Sequence, residues 1–248
     1  MGTSQSSKGP KNGSDLVPPW ANQTNNGSSS NVGGFRTVFG RFASSRDPNS
    51  LKKALNRYAR QVSGGSKATN ARLANIILAG GSLFDLLNES VIFDENNNVI
   101  VNLQDLNGIS CDEAIAKIAN ALSENSEDSD KIQIAINEAM AEALDGVDKF
   151  DPKDITDDVL VDTMICYLSN SVFLQVTMDA GKAWNNSTTA IQLQNAENDL
   201  YEFISAVVDN FMQPQLSNNI RKFSKNDLIT IQQNVIAEVW NEWEGYKE

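Results

Sequence analysis

Apolar residues recur at helical spacing along most of the chain, and the breaks between those stretches carry helix-start and helix-stop chemistry. Asp47-Pro48 reads as a start: the carboxylate can accept from free backbone N–H groups, and proline loses nothing in a first turn. Leu51, Leu55, Tyr58 and Val62 then line one face, and Gly64-Gly65 stops the helix. A second helical stretch covers residues 66–87, expected to be weakened or bent at Gly80-Gly81. Ser110-x-x-Glu113 is a capping box for a helix reaching about Leu122, and Ile132, Ile136, Ala139, Met140 and Ala143 share a face of the next. The carboxylates of 154–158 load the start of a long helix whose Val159, Met164, Ile165, Leu168, Val172, Phe173 and Val176 run towards Trp184. Apolar around most of its circumference, that helix belongs at the centre of the core. Two amphipathic helices follow, over about 188–212 and 224–246, parted at Pro214. The last of them carries Leu228, Ile231, Val235, Val239 and Trp243 at helical spacing.

Residues 91–109 break the helical period. Val91-Ile-Phe93 and Val99-Ile-Val101 flank a polar Asn-rich turn, the pattern of a small β-hairpin. The expected fold is therefore mainly α: a single helical domain over 35–248 with one small β-hairpin excursion. Phe35 to Phe42 mixes aromatics with arginines and reads as a packed connector at its start.

Residues 1–34 read as a disordered tail. Twenty-five of the thirty-four are Gly, Ser, Thr, Asn, Gln or Pro, too few apolar groups to offset the entropy of ordering. One apolar island, Leu16-Val17-Pro18-Pro19-Trp20, interrupts them. Its prolines favour an extended backbone, and an aromatic beside such a rod is a suitable anchor for docking to a partner.

Charge divides the chain unevenly. Residues 1–82 hold eleven Lys and Arg against Asp15 and Asp47, a net of +9, while residues 83–248 hold nine basic against thirty acidic residues, a net of −21. An acidic body disfavours nucleic acid, whereas the basic end suits an anion or an acidic partner, or else the two oppositely charged ends attract each other within the fold. With no histidine in the chain, Ser-His-Asp and Cys-His nucleophiles and imidazole zinc sites are ruled out. Cys111 and Cys166 fall on apolar helix faces as buried thiols. No secretory h-region and no membrane-length apolar run is evident, so the expected location is the cytoplasm.

Candidate chemistry is sparse. Asp94, Asn96, Asn98 and Asp105 match some positions of a calcium loop, but Val99 stands where the sharp turn needs glycine. The acidic run Asp145, Asp148, Asp151, Asp154, Asp157 and Asp158 straddles Gly146 and Pro152, so it does not line one helix face. Gly64-Gly65-Ser66-Lys67 lacks phosphate-loop spacing, although Arg57, Arg60, Lys67 and Arg72 offer a possible anion contact. Nothing calls for a cofactor or a metal, and no residue reads as catalytic. At the N-terminus, Met1-Gly2-Thr3-Ser4-Gln5-Ser6 fits a loose myristoylation pattern. The broader point is that small residues favour removal of Met1. That frees an unhindered α-amine on Gly2, with a pKa near 8, able to enter a narrow cleft and act as a nucleophile.

Gly9-Pro10, Gly13-Ser14 and Leu16-Val-Pro-Pro-Trp-Ala21 in the tail, Gly40-Arg-Phe42, Leu55-x-x-Tyr58-Ala59-Arg60 and Ala79-Gly80-Gly81-x-Leu83-Phe84 beyond it, and Asp112-Glu-Ala-Ile115, Phe150-Asp-Pro152 and Val172-Phe-Leu-Gln-Val176 further on occur in an order that resembles the B component of the Qat anti-phage defence system. The resemblance implies a bacterial cassette with an ATPase, a QueC-like enzyme and a TatD-like nuclease as partners. It implies a non-enzymatic role in which Gly2 enters the QueC-like active site for ATP-dependent modification. Thr3, Ser4 and Ser6 would line the access channel, and Leu16, Val17, Pro18, Pro19 and Trp20 would dock outside it. The rival reading is an anion- or nucleic-acid-binding module built on Arg36, Arg41, Arg46, Lys52, Lys53, Arg57 and Arg60, whose binding would fall steeply with salt.

Overall fold

The structure, a computed structural model, describes residues 8–11, 32–124, 126–217 and 219–247. Among these the protein is mainly α, with one two-stranded antiparallel hairpin. The helices are α1 (Val32–Ser45), α2 (Pro48–Arg57), α3 (Ser66–Arg72), α4 (Ala74–Glu89), α5 (Cys111–Ser123), α6 (Ser129–Ala143), α7 (Asp157–Ala180), α8 (Ala190–Leu216) and α9 (Lys225–Gly245). Strands β1 (Val91–Phe93) and β2 (Val99–Asn102) pair Ile92 with Val101 and Phe93 with Val99. The chain falls into two compact units. One comprises residues 1–73, 172–207 and 236–248, the other residues 74–171 and 208–235.

In the first unit the core is aromatic. Phe35, Phe39 and Phe42 of α1 are all buried, where a connector was expected. Their spacing of four and three residues is helical, and Gly33, Gly34 and Gly40 in the same stretch masked it. Gly40 is required by contact, since a Cβ there would lie 2.5 Å from the Asn186 side-chain nitrogen. Phe39 packs edge-on to Trp184 with ring centroids 4.7 Å apart, and Phe35 lies 5.0 Å from Tyr58. Trp240 and Trp243 of α9 continue the cluster, and the Trp240 indole N–H donates to Ser63 Oγ at 2.7 Å. Helix α2 starts as its sequence dictates: the Asp47 carboxylate accepts from the backbone N–H of Asn49 at 3.2 Å and of Ser50 at 3.0 Å. It passes into one π turn over Tyr58–Val62 before Gly64 and Gly65, both at positive φ, end it.

In the second unit α4 runs straight through Gly80-Gly81, and the break in this stretch falls instead at Leu73. The glycines mark close approach, not a bend. A Cβ at Gly80 would meet the Gln232 side-chain oxygen at 2.3 Å and a Tyr167 ring carbon at 2.6 Å, and one at Gly81 would meet Ile229 at 2.7 Å. Tyr167 donates through its hydroxyl to the Ile76 carbonyl at 2.7 Å, and the Gln232 amide to the Ile77 carbonyl at 3.2 Å, both on α4. Ser110 caps α5 through the Glu113 N–H at 3.2 Å, and Ile132, Ile136, Ala139 and Met140 are buried on α6 as their period requires. Pro214 does not separate the last two helices: α8 continues two residues past it. A proline this close to a helix end forfeits a single backbone bond in the last turn, which the helix tolerates. Asp157–Asn186 is long and apolar enough to cross a membrane, but 78% of its 18-residue apolar window, of mean hydropathy 1.4, is buried inside the protein, as befits a core helix.

Candidate functional site

A buried polar assembly of the first unit centres on Asp179, in the last turn of α7. It is only 2% exposed, which for a carboxylate demands compensation from several donors. Arg72, the last residue of α3, provides a two-pronged ion pair, Nη1 to Oδ2 at 2.9 Å and Nη2 to Oδ1 at 3.1 Å. The Tyr58 hydroxyl donates to Oδ2 at 2.8 Å, and the Gln175 amide, one turn earlier on α7, to the same oxygen at 3.2 Å. Arg36 of α1 completes the arrangement by donating Nε to the Asp179 backbone carbonyl at 2.9 Å. Burial and the neighbouring carboxylate push the Tyr58 hydroxyl well above its ordinary pKa. Burial pulls the Arg72 guanidinium down, but the Tyr58 oxygen and Asp179 more than offset it, so the cation is retained. With four donor contacts, the Asp179 carboxylate is fully occupied as a structural clamp joining α2, α3 and α7.

The tail passes this site. Gly9, at φ +60°, lies against Arg36 and the end of α7: a Cβ there would come within 2.1 Å of Arg36 Nη2 and 2.9 Å of the Met178 carbonyl oxygen. On the other side of the contact, a Cβ at Gly181 would meet the Lys8 carbonyl oxygen at 2.9 Å and the Gly9 nitrogen at 3.0 Å. Two stretches of backbone thus cross at van der Waals distance, and only glycine on both leaves room for it.

Gly2, Thr3, Ser4 and Ser6, and the docking residues Leu16, Val17, Pro18, Pro19 and Trp20, lie outside the described residues. Of the residues considered for anion contact, Arg72 is committed to Asp179. Arg60 caps α9 by donating Nε and Nη2 to the Glu244 carbonyl at 3.1 and 2.8 Å, beside Asn56, whose amide reaches the carbonyls of Trp243, Glu244 and Tyr246. Arg57 donates to the Gly34 carbonyl at 3.4 Å, and Lys67 is exposed. The hairpin carboxylate of Asp94 accepts from the backbone N–H groups of Asn96 and Asn98 and from the Asn98 amide, which hold it below the usual carboxylate range. Asp151 caps the short turn at Pro152, and Asp157 pairs with Arg221 at 2.8 Å. Cys111 and Cys166 are free and buried, and burial followed by the Glu142 carboxylate pushes the Cys166 thiol up to about 12.

A family model described as "Qat anti-phage system associated protein QatB" matches residues 64–243, well over half of the chain. The chain belongs to the QatB family. It is thus a component associated with an anti-phage defence system, and other components of the Qat system are its expected partners. Neither curated protein sequences nor solved structures give a match to it. The matched range includes Arg72, Gln175, Asp179 and Gly181, whereas Gly9, Arg36 and Tyr58 precede it.

Sequence reasoning passed over Asp179, Gln175 and the Gly9–Gly181 crossing, and took Arg36 for an anion contact when it donates to a backbone carbonyl of the chain itself. One signal was available: Asp179 is an acid near the end of a long apolar helix, a position where a charge needs a partner. The donors come from 121 and 107 residues away along the chain, and no local spacing announces such pairs. A second acidic cluster, in the other unit, has a measurable consequence. Asp162 is exposed, but partial desolvation by its neighbours, and then Asp158, Asp209 and Glu142, raise its carboxyl above its ordinary pKa. The folded chain therefore holds this proton at a pH where the unfolded chain has released it, so stability falls as pH rises from about 4 through the raised value. Asp162→Asn is expected to raise the melting temperature at pH 7 and to leave it unchanged at pH 3. Equal shifts at both would assign the effect to packing instead of charge.

Proposed function

We propose that this chain is a non-enzymatic component of the Qat system that binds the QueC-like enzyme of the same cassette and delivers its own N-terminus into that enzyme's active site. In this reading Gly2 is the substrate of an ATP-dependent modification, and its α-amine is the group that reacts. Thr3, Ser4 and Ser6 occupy the access channel, and Leu16 to Trp20 dock on the outside of the partner. The family assignment supports the defence setting, and its description names association with the system without naming a reaction.

The observation that carries the reading is the division of labour along the chain. The family match begins at residue 64 and covers a body whose two arginines, Arg72 and Arg221, are paired with the internal carboxylates Asp179 and Asp157. Ahead of it stands a sequence with a small-residue N-terminus and an apolar proline-rich island, features that serve a partner better than they serve a core. The reactive end would be a primary amine on a residue without a side chain, which fits a narrow active site that a bulkier terminus would block.

The test is the mass of the N-terminal peptide after co-expression with the other cassette genes. A mass addition on Gly2 that requires the QueC-like gene is the expected result. A bare glycine under the same conditions would reduce the tail to a docking element.

A further inference from the structure

We propose that the Gly9–Gly181 crossing, backed by Arg36, is an intramolecular anchor that fixes the N-terminal segment on the first unit and thereby sets how far Gly2 can reach. The delivery part of this inference rests on the function proposed above; the anchor itself rests on the geometry alone.

Several independent features converge at the crossing. Gly9 sits at φ +60° and Gly181 at φ +51°, in the left-handed region where a side chain is strained. Each glycine's missing Cβ would collide with the other strand or its support: Gly9 with Arg36 and Met178, Gly181 with the Lys8 carbonyl and the Gly9 nitrogen. Arg36 is itself held from behind by its Nε bond to the Asp179 carbonyl, and its Nη2 is buried at the crossing. The floor of the anchor is therefore the same α7 end that the Tyr58–Arg72–Asp179 cluster makes rigid. Pro10, directly after the crossing, restricts the exit of the chain through its fixed φ.

The consequence is a short tether. From Lys8 back to Gly2 the chain spans at most about 22 Å, because an extended residue covers no more than roughly 3.6 Å. Without the anchor, and with Leu16 docked on the partner, the same amine would sit fourteen residues from its nearest fixed point, with a contour of about 50 Å. Effective concentration at a target within reach falls as about the −3/2 power of tether length, so the anchored form delivers Gly2 to a bound partner about threefold more effectively. Gly9, Gly181 and Arg36 are positioning residues in this scheme and touch no reacting atom.

The experiment uses the full chain and Gly9→Val, with trypsin cleavage of the Lys8–Gly9 bond as the first readout. Rates are normalised to synthetic peptides of residues 1–31 carrying the same residue at position 9. In the wild-type protein the bond should be cut at least about tenfold more slowly than in the peptide, and Gly9→Val should abolish that protection while leaving the helical circular dichroism unchanged. Gly181→Ala, which pushes on the same crossing from the other side, should do likewise. Equal normalised rates in wild type and both variants would overturn the anchor. The second readout is the initial rate of Gly2 modification by the QueC-like enzyme with ATP, expected to drop about threefold in Gly9→Val. Loss of protection with an unchanged modification rate would overturn the tether role. A wild-type Gly2 that stays bare while its Lys8–Gly9 bond stays protected would sink the modification reading and support the anchor.

Discussion

Arg72→Ala is expected to cost about 3–5 kcal/mol of folding free energy and to lower the melting temperature by on the order of 10 °C. The magnitude follows from what the substitution leaves behind. The Arg72 side chain is 11% exposed and that of Asp179 3%, so removing the guanidinium strands a carboxylate where water cannot solvate it. Tyr58 and Gln175 would still donate to it, but neither carries charge. Arg60→Ala is the matched comparison. Its guanidinium also makes two hydrogen bonds, to the Glu244 carbonyl, but in an exposed setting, and its loss should cost no more than about 1 kcal/mol. Thermal and urea unfolding of the two variants side by side decide the matter. If Arg72→Ala behaved like Arg60→Ala, the Asp179 cluster would be open to water and could not act as the clamp of the first unit.

That clamp also shows where sequence reading succeeds and where it stops. Helix α2 was legible almost completely, because its cap, its proline, its apolar face and its terminating glycines all lie within twenty residues of one another. The hairpin was legible for the same reason: its two apolar triplets flank a turn that Asp94 ties together locally. Gly80-Gly81 misled because propensity sees only the cost of glycine in a helix, whereas the compensation is the approach of Gln232 and Tyr167. Phe35 to Phe42 misled in the opposite way, with helical periodicity hidden by glycines, of which Gly40 is one that packing requires. The candidate site followed the same rule. Residue types that announce themselves in short motifs were found, and the Asp179 cluster, assembled from α1, α2, α3 and α7, was not. Of the four residues considered for anion contact, Arg72 was the one whose charge mattered, and its partner is a buried carboxylate of the chain itself.

The basic end of the chain changes meaning in this light. Arg36, Arg46, Arg57, Arg60 and Arg72 all donate to acceptors of the first unit, with Arg46 held by Asp199 at 2.5 and 2.7 Å. Arg46 and Arg72 are thus neutralised by carboxylates of the fold, and Arg36, Arg57 and Arg60 spend hydrogen-bond donors on its backbone carbonyls. Binding to an external polyanion would have to compete with those internal contacts, which gives a partner protein the stronger claim on the tail.

Gly2→Phe is expected to abolish phage protection by the cassette, returning plating efficiency to that of cells without it, while circular dichroism and melting temperature stay at their wild-type values. A bulky second residue disfavours removal of Met1, so under the proposed reading the terminal amine would move one residue out and bring a methionine and a phenylalanine to a site proposed to take glycine. Both changes act on the proposed reacting group, and neither alters the Asp179 clamp or the Gly9 crossing, which begins six residues further along. Gly2→Ala separates the two effects. It keeps Met1 removal and adds one methyl group, so any loss of protection in that variant reports the steric limit of the channel alone. An intermediate phenotype for Gly2→Ala beside a complete loss for Gly2→Phe would locate the function at the amine. Undiminished protection by Gly2→Phe would show that the N-terminus is not the substrate. The proline-rich island at Leu16–Trp20 would then be the part of the tail that its partners recognise.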